Sequence, residues 1–221
     1  MYFLYLLQIL NIAIATFTII IGLRSFRNLK ENRILILIPL LSLVQITLTE
    51  LKGLVRKVEL STFTNNMIST YIYLEFILII IYLWKLSKTL RHKAFSMALI
   101  PIGIVSIIIS LYYINIIRPL KVEVLSLIEG PIILITALII NIELIKKGNI
   151  KNYSRDSNLI ATFGIFFSFI ISWPTSIVQN NILSYYSPFF KLNFIYNSIA
   201  YIILFSSLSY SFYVTRKYRT I

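Results

Sequence analysis

Glu75 and Glu129 are the residues of this chain best placed to do chemistry, because each sits well inside a long apolar run. An ionisable side chain in such surroundings is costly and is, by default, a candidate functional site with a partner to be named. Tyr71 precedes Glu75 by four residues, which on a helix puts both on one face. Glu129 is followed by Gly130 and Pro131. Pro131 has no N–H for the carbonyl of Leu127, so a helix bends there and leaves an acceptor free. Buried carboxyls of this kind can hold a cation or polar ligand, relay a proton, or glue helices together by hydrogen bonds. The residues alone leave all three open.

Other chemistry is narrowly bounded. The chain has no cysteine, and its single histidine, His92, lies in a basic loop. Disulfides, thiolate nucleophiles and cysteine-ligated metals are therefore excluded. A histidine metal site and a Ser-His dyad are not expected, and no metal or cofactor is implied. The formal net charge of +13 would point to nucleic acid in a soluble domain. Here the basic residues flank apolar segments, so a membrane accounts for them and nucleic acid is not expected.

The elements that must position the two acids follow from composition. Of the 221 residues, 58% are hydrophobic and only 13% charged, with a mean hydropathy of +0.84. A soluble globular domain carries about 25% charged residues. A chain this short cannot bury so much apolar surface, so the excess faces lipid. A hydrocarbon core of about 30 Å needs roughly 20 helical residues. Seven segments meet or approach that length: 2–23, 34–51, 67–86, 94–117, 122–145, 159–182 and 194–215. Period-two alternation, the mark of a membrane barrel, is absent. The expectation is an all-α polytopic membrane protein, a single domain over 1–221. The first segment lacks a basic n-region and exceeds a signal peptide's apolar stretch, so it reads as a span. No internal repeat of the kind built into many transporters is evident.

Lysine and arginine counts orient the bundle. Loops 24–33, 85–93 and 146–155 carry four each and the C-terminal tail carries three, against six on the other side. The richer side belongs in the cytoplasm, which puts the N-terminus outside and the C-terminus inside. Mapped onto this topology, the intramembrane polar residues crowd the outer half. They include Gln8, Asn11, Gln45, Tyr71, Glu75, Glu129, Gln179, Asn197 and Tyr201. The inner half is mostly Ile, Leu and Phe, apart from serines late in the last span. This asymmetry predicts a polar cavity open to the outside above an apolar plug. The candidate ligand-binding set is Glu75, Glu129, Tyr71, Gln8, Asn11, Gln45, Gln179 and Asn197. Trp173-Pro174 and Pro131 are candidate gating kinks, with a static bend and a packing tryptophan as the blander reading. Trp84, Tyr82 and Tyr213 read as interfacial anchors. The basic loops are topology signals that can also meet anionic lipid or a cytoplasmic partner.

Familiar seven-span classes do not fit. The last span, Phe194 to Val214, holds no lysine for a covalent retinal, and the usual receptor motifs are missing. Tyr71-Ile-Tyr-Leu-Glu75-Phe76 and Ala161-Thr-Phe163-Gly164, together with the basic tail, give a different likeness. In these features the chain resembles small uncharacterised bacterial seven-transmembrane-helix proteins. In those, an Asn or Tyr shortly precedes a Glu-Phe pair in the third span. Trp173-Pro174 departs from that pattern. The resemblance implies architecture and a bacterial inner-membrane location, not an activity. The expected function is a sensory, receptor-like bundle binding a small polar or cationic ligand in the outward cavity. The alternative is a small proton- or cation-coupled transporter or channel using Glu75 and Glu129. An enzyme ranks third, because no nucleophile with a base stands out.

Overall fold

The structure is a computed structural model that describes residues 2–54, 58–87, 93, 97–99, 101, 104–105, 108, 122–147, 154–182 and 187–218. Among these residues all regular structure is helical. The long helices are α1 (Tyr2–Ser25), α2 (Leu37–Leu54), α3 (Val58–Leu86), α4 (Val122–Lys147), α5 (Ser157–Ile182) and α6 (Ser187–Tyr218). Most of the expected fourth span, 94–117, lies outside the described residues, as do Arg56, Lys57, Arg118 and Lys121 in the connections.

Among the described residues, three stretches are long and apolar enough to cross a membrane: Phe3–Ser25, Ser157–Pro174 and Lys191–Tyr218. A shorter apolar helical stretch covers Asn32–Thr47. Phe3, Leu6, Ile9, Phe17 and Leu23 form an exposed apolar flank along α1. A continuous flank of this kind is not what a monomer presents to water. The helices overrun the spans expected from hydropathy. In particular, α3 begins at Val58, nine residues before the expected edge at Met67. A helix need not stop where the apolar run stops, because its backbone bonds are internal wherever it lies.

Local sequence explains several helix ends. Asp156 caps α5: its Oδ1 accepts from the backbone N–H of Asn158 at 2.9 Å and of Leu159 at 3.2 Å, satisfying donors that a helix start leaves free. Arg24, Lys85, Arg216 and Lys217 sit in last turns, where a cation complements the helix dipole. Between α1 and α2 the chain turns through two short 3-10 segments, Phe26–Asn28 and Lys30–Ile36. Arg33 pins this turn, donating from Nε to the Phe26 carbonyl at 2.9 Å and from a terminal nitrogen to the Arg27 carbonyl at 3.1 Å.

Pairwise contacts give the helix directions. Thr18 meets Phe205 and Ser209, and Gly22 meets Phe212, so α1 and α6 run parallel. Gly164 faces Ser207 while the Ser157 carbonyl accepts from Ser211, so α5 and α6 are antiparallel. Asn141 pairs with Thr162 and Gly130 with Trp173, so α4 and α5 are antiparallel. Tyr82 of α3 reaches the Asn158 carbonyl at the start of α5, while Glu75 is coupled to Glu129 of α4. Therefore α3 runs parallel to α4. Asn32 donates to Ser211, and Ser42 lies by Tyr71, so the chain through α2 runs opposite to α6.

The core is an apolar band across the helices. It includes Phe76, Ile79, Ile80 and Leu83 of α3, Ile133, Ala137 and Ile140 of α4, and Leu204, Phe205 and Leu208 of α6. Gly164 lets α5 approach α6 closely, since a Cβ there would collide with Ser207. Small residues at such crossings let two helices pack on backbone. Tyr82 belongs to this core. It is fully buried and directed to the Asn158 carbonyl, which corrects its reading as an interfacial anchor. A phenol at a helix end serves either role, and only the neighbouring helix decides which. Tyr213 is exposed and lies under the Lys217 ammonium.

Candidate functional site

Directly beyond the apolar band, toward the start of α3, the helices bring a set of polar side chains to one level. Glu75 lies one residue before Phe76 of the core and three turns before the end of α3 at Leu86, about 16 Å along the axis at 1.5 Å per residue. It is 8% exposed, as is Glu129 of α4. The two carboxyls are close enough to interact electrostatically. Neither has a described basic side chain beside it. Oε1 of Glu129 is buried and has no hydrogen-bond partner.

Tyr71 sits one turn before Glu75 on the same face, as the four-residue spacing requires. Its ring is buried, and its hydroxyl is neighboured by Glu75, Tyr201 of α6 and Ser42 of α2. These neighbours are near enough to influence it, yet none completes a hydrogen bond of good geometry with the buried hydroxyl. Proximity without alignment is a weak contact, and the hydroxyl is left unsatisfied. Tyr201 is partly buried and stacks on Phe205 with ring centroids 5.6 Å apart.

Trp173 of α5 closes this group from the side. A Cβ on Gly130 would fall inside its indole and lie 2.7 Å from Nε1. The pyrrole edge therefore rests on the α4 backbone at the residue after Glu129. Only glycine permits that approach. The indole N–H is buried without an acceptor. Pro131 and Pro174 lie inside continuous helices. Each withholds an N–H from the carbonyl four residues earlier, Leu127 and Ile170 respectively.

The remaining sequence candidates fall around this group. Asn11 is buried, with Oδ1 unpartnered. The parallel register of α1 on α6 puts it two turns before Thr18, at the level of Ser198–Tyr201. Gln8, Gln45 and Asn197 lie one turn further out than Asn11, Ser42 and Tyr201. All three are partly buried and have polar partners of their own. Asn197, for example, donates from Nδ2 to Oδ1 of Asn193 at 3.2 Å. Gln179 is on α5, but its side chain lies outside the described residues. The sequence reading left Ser42 and Tyr201 out of the set. The signal for Tyr201 was its position four residues after Asn197. Ser42 stands three residues before Gln45 and shares its face.

On the other side of the apolar band lies a second polar layer. Thr18 and Ser209 share a hydrogen bond at 2.7 Å, and Thr18 also reaches the Phe205 carbonyl. Asn32 donates to Ser211 at 3.2 Å, and Ser211 donates to the Ser157 carbonyl at 2.7 Å. Thr162 donates to Asn141. Apolar patterning alone describes this half of the bundle too simply. It contains both an apolar band and, past it, a hydrogen-bonded layer.

Searches against family models, curated proteins and solved structures find no match for this chain. The reading of the site therefore rests on its own chemistry.

Proposed function

We propose that this chain is a seven-span membrane protein acting as a receptor-like bundle, which binds a small cationic or polar ligand between Glu75 and Glu129 from the outer side. One observation carries the reading: two buried carboxyls from different helices lie within electrostatic reach of each other without a described cation, and an oxygen of one is unpaired. Leaving charge buried and unpaired costs several kcal/mol, and a bound cation offsets that cost. The unsatisfied Tyr71 hydroxyl and Trp173 N–H at the same level are further groups with bonding capacity to spare.

The helix directions support the topology. Helices α1, α3, α4 and α6 run one way, and α2 and α5 run the other. The parallel run of α3 and α4 agrees with the proposed topology, in which the sequence places one further apolar segment, 94–117, between them. Arg24, Lys85, Lys146, Arg155, Arg216 and Lys217 all lie at the end where α1, α3, α4 and α6 finish and α5 begins. That end is the cytoplasmic one by charge. The absence of native cysteine makes a direct test simple. Lys191→Cys should react with an impermeant maleimide in intact cells, and Arg155→Cys only after permeabilisation. The opposite labelling pattern sinks the orientation.

Ligand binding is tested by thermal unfolding and isothermal titration of the purified protein with monovalent, divalent and organic cations. Glu75→Gln and Glu129→Gln should each abolish cation-induced stabilisation. Stabilisation that survives both changes would remove the site. A second reading, coupled transport, draws support from the polar layer below the plug, which offers a polar station on the far side. Cation uptake into proteoliposomes that is lost in Glu129→Gln would favour transport over sensing.

A further inference from the structure

We infer that the ligand of this site is a small organic amine carrying a neutral oxygen acceptor close to its ammonium group, as in an amino alcohol. The inference rests on the binding role proposed above and specifies its chemistry.

The argument starts from which groups remain unsatisfied. A ligand must answer donors and acceptors together. Oε1 of an ionised Glu129 accepts only, the indole N–H of Trp173 donates only, and the Tyr71 hydroxyl can do either. The Glu129 oxygen and the Tyr71 hydroxyl are both on side chains more than nine-tenths buried. A bare metal ion serves only the acceptors. It is coordinated by oxygens, about six to eight for calcium, and an N–H directed at it presents positive charge. The described residues also contain no group of three His, Cys, Asp or Glu side chains that could hold a metal.

An ammonium group serves the carboxyls with three donors, and its alkyl part fits the aromatic surround of Trp173, Tyr71 and Tyr201. A cation near aromatic faces gains further, with tryptophan the best of the three. The indole N–H then needs an acceptor from the same ligand. That acceptor is neutral, because a ligand carboxylate would add a third acid where no described basic group balances it. A hydroxyl or carbonyl oxygen meets the requirement. The contact of Trp173 with Gly130 places the indole against the residue that follows Glu129 on α4, and one short ligand has to span the two groups.

The test compares probes that differ in one feature. Purified protein in nanodiscs is titrated with 2-aminoethanol, ethylammonium, glycine, sodium and calcium. Binding is followed by thermal unfolding and by fluorescence in a Trp84→Phe background, where Trp173 is the remaining tryptophan. The expected order puts 2-aminoethanol first, with half-saturation at about one-tenth the concentration needed for ethylammonium, the usual worth of one hydrogen bond. Trp173→Phe keeps a ring and removes the donor, so it should erase that difference in the thermal assay. Glu129→Gln and Glu75→Gln should each weaken both amines. Equal affinity for the two amines, or tighter Glu129-dependent binding of glycine or a metal ion, overturns the inference while leaving a cation site in place. If no probe shows carboxyl-dependent binding, the binding role itself falls.

Discussion

The polar groups at the level of Glu75 and those at the level of Ser211 are drawn from the same helices, yet they are completed differently. In the Ser211 layer, short side chains find neighbours on adjacent helices: Thr18 with Ser209, Asn32 with Ser211, and Ser211 with the Ser157 carbonyl. In the Glu75 layer, Tyr71, Glu129 and Trp173 are larger, the first two buried and Trp173 partly so, and each is left with bonding capacity unused. The Ser211 side of the band also holds unpaired atoms: Oδ1 of Asn32 and Nδ2 of Asn141 belong to side chains that bond elsewhere, whereas Oγ of Ser25 and the indole N–H of Trp84 are buried without a partner. The contrast teaches that buried polarity by itself does not mark a site. What sets the Glu75 level apart is that a carboxyl oxygen, a phenol and an indole N–H are left incomplete together.

Substitutions can break or sharpen this contrast, and their expected sizes differ. The largest effect is expected for Gly130→Ala, because the new methyl would occupy the indole of Trp173. Overpacking of this kind costs about 1–3 kcal/mol, here at the upper end because the collision is with a ring. Chemical or thermal unfolding should show the loss, and Trp173 fluorescence should shift with it. Unchanged stability and fluorescence would mean that the indole does not rest on α4.

Gly164→Ala comes next. The new Cβ would collide with Ser207, with Oγ at 2.8 Å, forcing α5 from α6 at a cost of about 2 kcal/mol. Ser211→Ala should cost about 1–2 kcal/mol, since it leaves the Asn32 amide and the Ser157 carbonyl without their partner. A double change with Asn32→Ala should then cost less than the two single changes added together. Thr18→Val removes the two interhelical contacts of one hydroxyl, to Ser209 and to the Phe205 carbonyl, while keeping the shape, and should cost about 0.5–1 kcal/mol.

The smallest effect on stability, and the most informative, is expected for Glu129→Gln. Replacing an unpaired buried acid by an amide of the same size should leave unfolding unchanged or make it harder, while ligand-induced stabilisation disappears. Sites kept for function are often poor for stability. A loss above about 2 kcal/mol, comparable to breaking a satisfied network, would place Glu129 with the structural glue instead.

Long, uniformly apolar runs were enough to read the helical class that the described residues show, because helical backbone bonding is local and apolar excess is a property of composition. The same runs marked Glu75, Tyr71 and Glu129 as out of place, and the four-residue spacing already joined Tyr71 to Glu75. Hydropathy did not show that α3 extends back to Val58, since helix and apolar segment end for different reasons. Nor did it show that Tyr82 is a core residue or that Asn197 satisfies itself through Asn193, because those outcomes depend on which neighbour faces each group.

What the sequence determined by itself is therefore the class of the chain and the short list of residues that sit badly in an apolar environment. What only the tertiary structure decided is their company. Glu75 and Glu129 are 54 positions apart, and nothing local ties them. Their meeting depends on α3 and α4 running parallel at a common level, with Gly130 opening α4 to Trp173. Side-chain chemistry is written in the chain one residue at a time, whereas a hydrogen bond or its absence is settled by atoms that packing brings from elsewhere.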